Sequence, residues 1–205
     1  MSPTITIVRH APTVYNKKEI FMGTEDIPVD HSELETSKLR SVHENVYIKR
    51  ADRIYTSPLL RALKTAEAIA EYQNKSTQSI QIDDRLIERY LGDWQGMPKA
   101  LVHKKYPNAF INGKMDFYYT PQNGEPYDMM VKRVADFLVE KSREYSNLVL
   151  VTHNGVFRVM KSLLTGDGLR DVFLEYEPYL VPQTFFIDDD LFHTIQSNPF
   201  YTVDK

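Results

Sequence analysis

The sequence predicts an α/β layered domain built on a largely parallel sheet. Short aliphatic or β-branched runs alternate with segments whose apolar residues recur at helical spacing. The clearest run, Leu148-Val149-Leu150-Val151, is apolar on both faces, as a buried parallel strand requires. At 205 residues the chain reads as one domain spanning 1–205, with a lid-like excursion at about 89–127.

Ile5-Thr6-Ile7-Val8 is the first expected strand and ends at Arg9-His10. Residues 32–47 are expected to be helical, and Asp52 to Thr56 forms the second strand. Ser57-Pro58 reads as a helix start, with Ser57 as N-cap and Pro58 at the first helical position. Leu59, Leu63, Ala66 and Ala70 then keep helical spacing to about Tyr72. Ser79 to Ile82 is a third strand. Leu86 to Tyr127 is mostly loop, interrupted by Pro107, Pro121 and Pro126, with one short helix after Met97. Residues 126–145 form a helix with Met130, Val134, Phe137 and Leu138 on one face. Asn147 to Thr152 is a strand, and a helix follows from about Gly155 to Leu164. Thr184 to Ile187 and His193 to Gln196, around Asp188-Asp189-Asp190, suggest a hairpin.

Composition narrows the function. Hydrophobic residues at 42% and charged residues at 26% are ordinary for a globular chain and argue against disorder. A net charge of −3 places a non-specific nucleic-acid binder at a disadvantage. No apolar run has membrane-spanning length, and Met1-Ser2-Pro3-Thr4 lacks signal-peptide character. The absence of cysteine excludes a thiol nucleophile, disulfides and Cys-based metal sites, and fits a cytoplasmic location. The expected partner is a small molecule rather than a nucleic acid or a membrane, and nothing in the sequence fixes an oligomeric state.

Ligands of open α/β sheets bind beyond the carboxyl ends of the strands. Three segments carry unusual polar residues there: Arg9-His10, Ser57 to Arg61, and Thr152-His153-Asn154-Gly155. Arg61 sits in an opening helical turn, where the macrodipole disfavours a cation; taken alone it reads as solvated or carboxylate-paired. An anion shared with Arg9 and with backbone N–H groups would remove that mismatch. His10 and His153 would each, alone, read as buried hydrogen-bonded side chains, but both directly follow an apolar strand. Metal ligation is the rival reading. It is disfavoured because no HExxH or His-x-His spacing occurs and the arginines would repel a cation. His31, His43, His103 and His193 have no comparable setting. Glu88 supplies a carboxylate beside Arg89, Asn16 is a candidate phosphate or imidazole partner, and Gly23, Gly92, Gly96 and Gly155 lie beside these segments.

Together these residues resemble the histidine phosphatase superfamily, also called phosphoglycerate mutase-like. Val8-Arg9-His10-Ala11-Pro12-Thr13-Val14-Tyr15-Asn16 resembles its Arg-His-Gly signature with the trailing Asn. Gly23-Thr24-Glu25-Asp26-Ile27-Pro28 is similar to its Gly-x-x-Asp-x-Pro loop, and Ser57-Pro58-Leu59-Leu60-Arg61-Ala62 to its second phosphate-binding segment. Glu88 to Gly96 resembles the catalytic-acid region, and Thr152-His153-Asn154-Gly155 the second histidine. The matches fall in family order from about Ile5 to Arg158.

The resemblance implies a three-layer α/β/α sandwich and a metal-independent phosphomonoester hydrolase without a cofactor. His10 would attack phosphorus, Glu88 would protonate the leaving oxygen, and water would then hydrolyse the phosphohistidine. Arg9, Arg61 and His153 would hold the equatorial oxygens, supported by Asn16 and Asn154, with Gly23, Thr24 and Lys99 as further substrate contacts. His10 must keep a lone pair whereas His153 can be cationic, so the two are expected to titrate apart. Ala11, Asn154, Pro126 and Gln183 depart from the family pattern. A mutase is the alternative: Lys99 stands where mutases carry a lysine, but Leu91 replaces an aromatic residue, and no Arg lies between Arg89 and Arg133. The aromatics Tyr106, Phe110, Phe117, Tyr118, Tyr119 and Tyr127 read as packing within the excursion or as a wall for an apolar leaving group. A non-catalytic phosphate-binding module is the second alternative; loss of His10 or Glu88 would mark it, and both are present.

Overall fold

The computed structural model describes residues 3–35, 37–187, 190 and 195. In chain order its elements are β1 (Thr4–Arg9), α1 (Val14–Lys17), α2 (His31–Leu34), α3 (Ser37–Glu44), α4 (Val46–Lys49), β2 (Arg53–Thr56), α5 (Leu60–Tyr72) and β3 (Ile80–Ile82). There follow α6 (Lys99–Lys105), β4 (Phe110–Ile111), β5 (Lys114–Met115), α7 (Tyr127–Glu144), β6 (Asn147–Thr152), α8 (Asn154–Thr165), α9 (Leu169–Phe173) and β7 (Gln183–Phe186).

The main sheet has the order β3-β2-β6-β1-β7, parallel except for β7. Successive side chains on a strand point to opposite faces, and the two cores follow that alternation. Ile5, Ile7, Tyr55, Leu148 and Leu150 pack with α7 and α8, including Met130, Val134, Phe137 and Leu138. Val8, Ile54, Val149 and Val151 pack with α3, α4 and α5 on the other face. The result is the expected three-layer sandwich.

Two local expectations shift. Residues 32–47 form parts of three short helices, because Asn45 folds back to accept from the Tyr47 and Ile48 amides and restarts the helix as α4. The helix after β2 begins at Leu60, not at Pro58, and its first amide donates to Asp26 Oδ1 at 2.6 Å. The cap on the Leu60 amide therefore comes from a loop distant in sequence, while the Ser57 hydroxyl accepts from the Leu59 amide at 3.3 Å and has a further partner described below. The first arm of the expected hairpin is β7, whereas His193 to Gln196 lies outside the described residues apart from the buried Ile195.

The stretch 89–127 carries its own small core. Trp94 is buried among Phe21, Tyr106, Phe110 and Tyr119. Arg89, far from being a simple ion-pair partner of Glu88, donates to the carbonyls of Phe117, Tyr119 and Glu125 and gathers the stretch around one guanidinium. Phe117, Tyr118 and Tyr127 pack onto the main core instead. No helix among the described residues is long and apolar enough to cross a membrane.

Candidate active site

The parallel register brings the three polar segments together. Arg9 pairs with Thr152 across β1 and β6, and Thr56 with Val151 across β2 and β6. Past those pairs, the His10 amide donates to the Thr152 carbonyl and the Ser57 amide to the Val151 carbonyl. His10, Ser57 and His153 therefore leave adjacent strands at the same edge, and the imidazole centroids of His10 and His153 lie 5.1 Å apart.

Hydrogen-bond partners fix the tautomers. Nδ1 of His10 is 2.7 Å from the Ala11 carbonyl, which can only accept, so Nδ1 carries the proton and Nε2 keeps its lone pair. Arg61 Nε, which can only donate, lies 3.2 Å from His153 Nδ1. The proton of His153 is then on Nε2, 2.7 Å from Ser57 Oγ. Ser57 is thus the orienting partner of His153. Both histidines shift in the same direction. Burial, followed by the charges of Arg61 and Arg9, holds His10 well below the ordinary imidazole range; burial, Arg61, His10 and Arg9 do the same to His153. Burial first, and then the same two guanidiniums, disfavour the protonated form of both rings.

Arg61 is fully buried, and burial lowers it to about 10 despite nearby Glu88 and Asp26. Its other nitrogens donate to the Glu25 carbonyl at 2.6 Å and the Gly23 carbonyl at 2.8 Å. Gly23 has φ +53, and a Cβ there would stand 2.1 Å from Gln95 Oε1, so only glycine lets this loop pass. Arg9 donates to the Glu177 carbonyl at 2.6 Å and lies 3.7 Å above the Tyr179 ring, while its Nε is buried without a hydrogen bond. An anion is the natural partner for that nitrogen.

Glu88 reaches the same edge. Its carboxylate accepts from the Arg89 amide at 2.8 Å and from the Gly155 amide at 3.1 Å, in the first turn of α8. A Cβ on residue 155 would lie 2.5 Å from Glu88 Oε1 and 3.1 Å from Met130 Cε. The expected result of Gly155→Ala is a displaced carboxylate. Steady-state kinetics should show kcat for alkyl phosphates falling by roughly 10–100-fold, with the melting temperature nearly unchanged.

A cavity of about 390 Å³ opens over these groups, within the range of small-metabolite sites. Arg9, His10, Asn16, Gly23, Arg61, Glu88, Lys99 and Asn154 all line it; His153 lies just behind. Asn16 accepts from the Thr13 amide and hydroxyl through Oδ1, leaving its amide N–H₂ as the end that can donate to an anion. Asn154 Oδ1 is buried and makes no hydrogen bond. Thr24 is not brought to the cavity, because its amide and hydroxyl are both spent on Gln95 Oε1.

Several lining residues were not anticipated. His103, given no functional setting from sequence, stacks on Phe110 and reaches the wall, as does Lys114. Arg158 stands one helical turn beyond Asn154, a spacing that could have flagged it. Phe173, Tyr176 and Tyr179 supply an aromatic wall; of the aromatics of the 89–127 stretch named above, only Phe110 lines the cavity.

Residues 5–174 match the model of the histidine phosphatase superfamily, branch 1. The chain belongs to that superfamily. As a histidine phosphatase it is 32% identical over 172 residues to phosphoserine phosphatase 1 of Hydrogenobacter thermophilus, covering 80% of this chain and 77% of that one. It is 30% identical over 180 residues to the 2,3-bisphosphoglycerate-dependent phosphoglycerate mutase of Cytophaga hutchinsonii, covering 83% and 81%. The alpha-ribazole phosphatase of Shigella flexneri shares the fold, with a TM-score of 0.73 at 20% identity over 91% of each chain. With phosphatases among its relatives, this histidine phosphatase is a phosphomonoester hydrolase. Among its described residues, no three His, Asp or Glu side chains gather in metal-ligating geometry.

The family departures find local accounts. Gln183 Nε2 donates to the buried Glu177 carboxylate at 2.5 Å, supporting the segment that holds Arg9. Pro126 cannot cap α7 through a side chain; Glu125 next to it pairs with Arg133 at 2.7 Å. Ala11 is fully buried, and its amide donates to Thr65 Oγ1 at 3.0 Å.

Proposed function

We propose that this histidine phosphatase hydrolyses small phosphomonoesters in two in-line steps at His10. The observation that carries the reading is the Nδ1–H bond of His10 to the Ala11 carbonyl, which leaves Nε2 as a lone-pair donor beside Arg9 and Arg61. In the first step Nε2 forms a bond to phosphorus as the ester P–O bond breaks, and Glu88 gives its proton to the departing oxygen. In the second, water attacks phosphorus, the P–N bond breaks, and Glu88 takes a proton from that water. Arg9, Arg61, Asn16 and the first amides of α8 stabilise charge on the equatorial oxygens throughout. Rapid quenching during turnover, followed by peptide mass spectrometry, should find the phosphoryl group on His10; quenched samples free of it under steady turnover would overturn the reading.

A second reading, phosphoryl transfer between hydroxyls, is favoured by one observation: Lys99 lines the cavity. Accumulation of an isomeric phosphoglycerate rather than inorganic phosphate would select it.

A further inference from the structure

The direction in which Arg61 points is set outside the cavity. A guanidinium has five N–H bonds. Three of them are engaged inside the protein, on His153 Nδ1, on the Glu25 carbonyl and on the Gly23 carbonyl. Two remain, one on each terminal nitrogen, and these are the bonds a phosphoryl oxygen can accept. Their aim follows from where the loop at 23–26 holds its carbonyls. The same loop supplies Asp26, whose carboxylate accepts from the Leu60 amide beside Arg61 at 2.6 Å.

Gln95 fixes that loop. Its Oε1 accepts from the Thr24 amide at 2.7 Å, the Thr24 hydroxyl at 3.1 Å and the Leu91 amide at 3.3 Å. Backbone N–H groups can only donate, so the oxygen of the Gln95 side chain, not its nitrogen, faces the loop. Leu91 follows Glu88 by three positions. One atom thus ties the segment that carries the acid to the loop that grips Arg61. Gln95 is itself held on both sides. Its amide donates to the Gly92 carbonyl at 3.1 Å, and the Gly96 amide donates to the Phe21 carbonyl at 2.8 Å. Trp94, just before it, is buried in the small core of the 89–127 stretch. Gln95 does not line the cavity, so it acts only through its neighbours.

We propose that Gln95 is a positioning residue for Arg61. By holding Thr24 it aims the two guanidinium N–H bonds that meet the phosphoryl group, and the Trp94 core is the brace that keeps Gln95 in place. The assignment rests on the phosphohydrolase reading, which puts Arg61 on the equatorial oxygens. Donors aimed in advance need no reorganisation during the reaction, and a loop that loses its anchor forfeits that advantage.

Two substitutions test this. Gln95→Met keeps the length of the side chain without the acceptor, and Gln95→Glu keeps the acceptor. Gln95→Met should lower kcat by roughly 10–100-fold, the scale of a displaced reacting group. Alkyl and aryl phosphates should suffer alike, because Arg61 acts on the transferred group and not on the leaving group. Gln95→Glu should stay within about fivefold of wild type, since a carboxylate accepts the same N–H bonds. The deciding readout is the imidazole ¹⁵N spectrum of the folded protein. Displacement of Arg61 withdraws its Nε–H from His153 Nδ1, so that resonance should move in Gln95→Met and return in Gln95→Glu. The Nδ1 resonance of His10, whose proton bonds the Ala11 carbonyl, should stay in place. If Gln95→Met does not fold, Gln95→Asn, which draws the oxygen back by one carbon, carries the same comparison. Wild-type kcat in whichever of these folds would overturn the proposal. So would a Gln95→Glu protein as impaired as Gln95→Met, or lost activity with both imidazole signals unmoved, which would make Gln95 a general support of the fold. A loss confined to alkyl esters would also overturn it, placing the effect on Glu88 through Leu91. Failure of the phosphohydrolase reading is separately visible, as wild-type protein that releases no phosphate from any ester while the ¹⁵N comparison still reports on Arg61.

Discussion

His10→Ala should lower kcat by roughly 10⁴-fold or more, because a covalent route loses its only nucleophile and no neighbouring group replaces it. His153 cannot substitute: its Nδ1 lone pair is taken by Arg61, and its Nε2 carries the proton facing Ser57. Phosphate release measured with an alkyl phosphate checks this, and turnover at the wild-type rate would reject His10 as nucleophile. The same geometry makes a statement about pH. His10 and His153 are held well below the ordinary imidazole range, chiefly by burial and then by Arg61. Their ring proton resonances should therefore remain at neutral-form positions at about pH 5.5, where a free histidine near 6.5 is mostly charged. The stability consequence has a definite sign. Below about pH 6.5 the unfolded chain takes up protons on these two residues and the folded chain does not. Stability contributed by the pair is full above that pH and declines as pH falls through and below it. Denaturant midpoints across this range would reveal the slope.

Glu88→Gln should cost roughly 10²–10⁴-fold in kcat for esters whose leaving group departs as an alkoxide. Gln keeps the size of the side chain but cannot deliver the proton, and one end of its amide must present N–H₂ to a backbone N–H that the carboxylate formerly accepted. For an aryl ester such as p-nitrophenyl phosphate, whose phenolate leaves without protonation, the loss should be much smaller. This dependence on leaving group separates proton donation from positioning. Equal losses for alkyl and aryl esters would assign Glu88 an orienting role instead.

Much of this site is written in short local patterns. A β-branched strand ending in Arg9-His10 and an aliphatic strand ending in Thr152-His153 announce an α/β edge, and parallel register does the rest. The family motifs add Arg61, Glu88 and Asn16, all of which reach the cavity. Tertiary competition hid the remainder. Ser57 followed by Pro58 has the local form of a helix cap, yet its hydroxyl serves an imidazole 96 positions away. Thr24 looks like a phosphate ligand by motif, but Gln95 claims both its donors. Phe173, Tyr176, Tyr179, His103 and Lys114 follow no periodic signal of their own; they become wall residues because two distant segments fold over the strand ends. Arg158 was the legible omission, since helical spacing from Asn154 alone would have placed it there.

The grip on Arg9 has a consequence for when the protein becomes competent during synthesis. The carbonyl that orients this guanidinium belongs to Glu177, 168 positions downstream, and the ring beneath it to Tyr179. A nascent chain that has emerged only through Phe173 already holds its nucleophile, its second imidazole and its acid, but its guanidinium is unanchored. Ribosome-bound intermediates should therefore be silent toward cellular phosphoesters until that clasp has been translated and has closed.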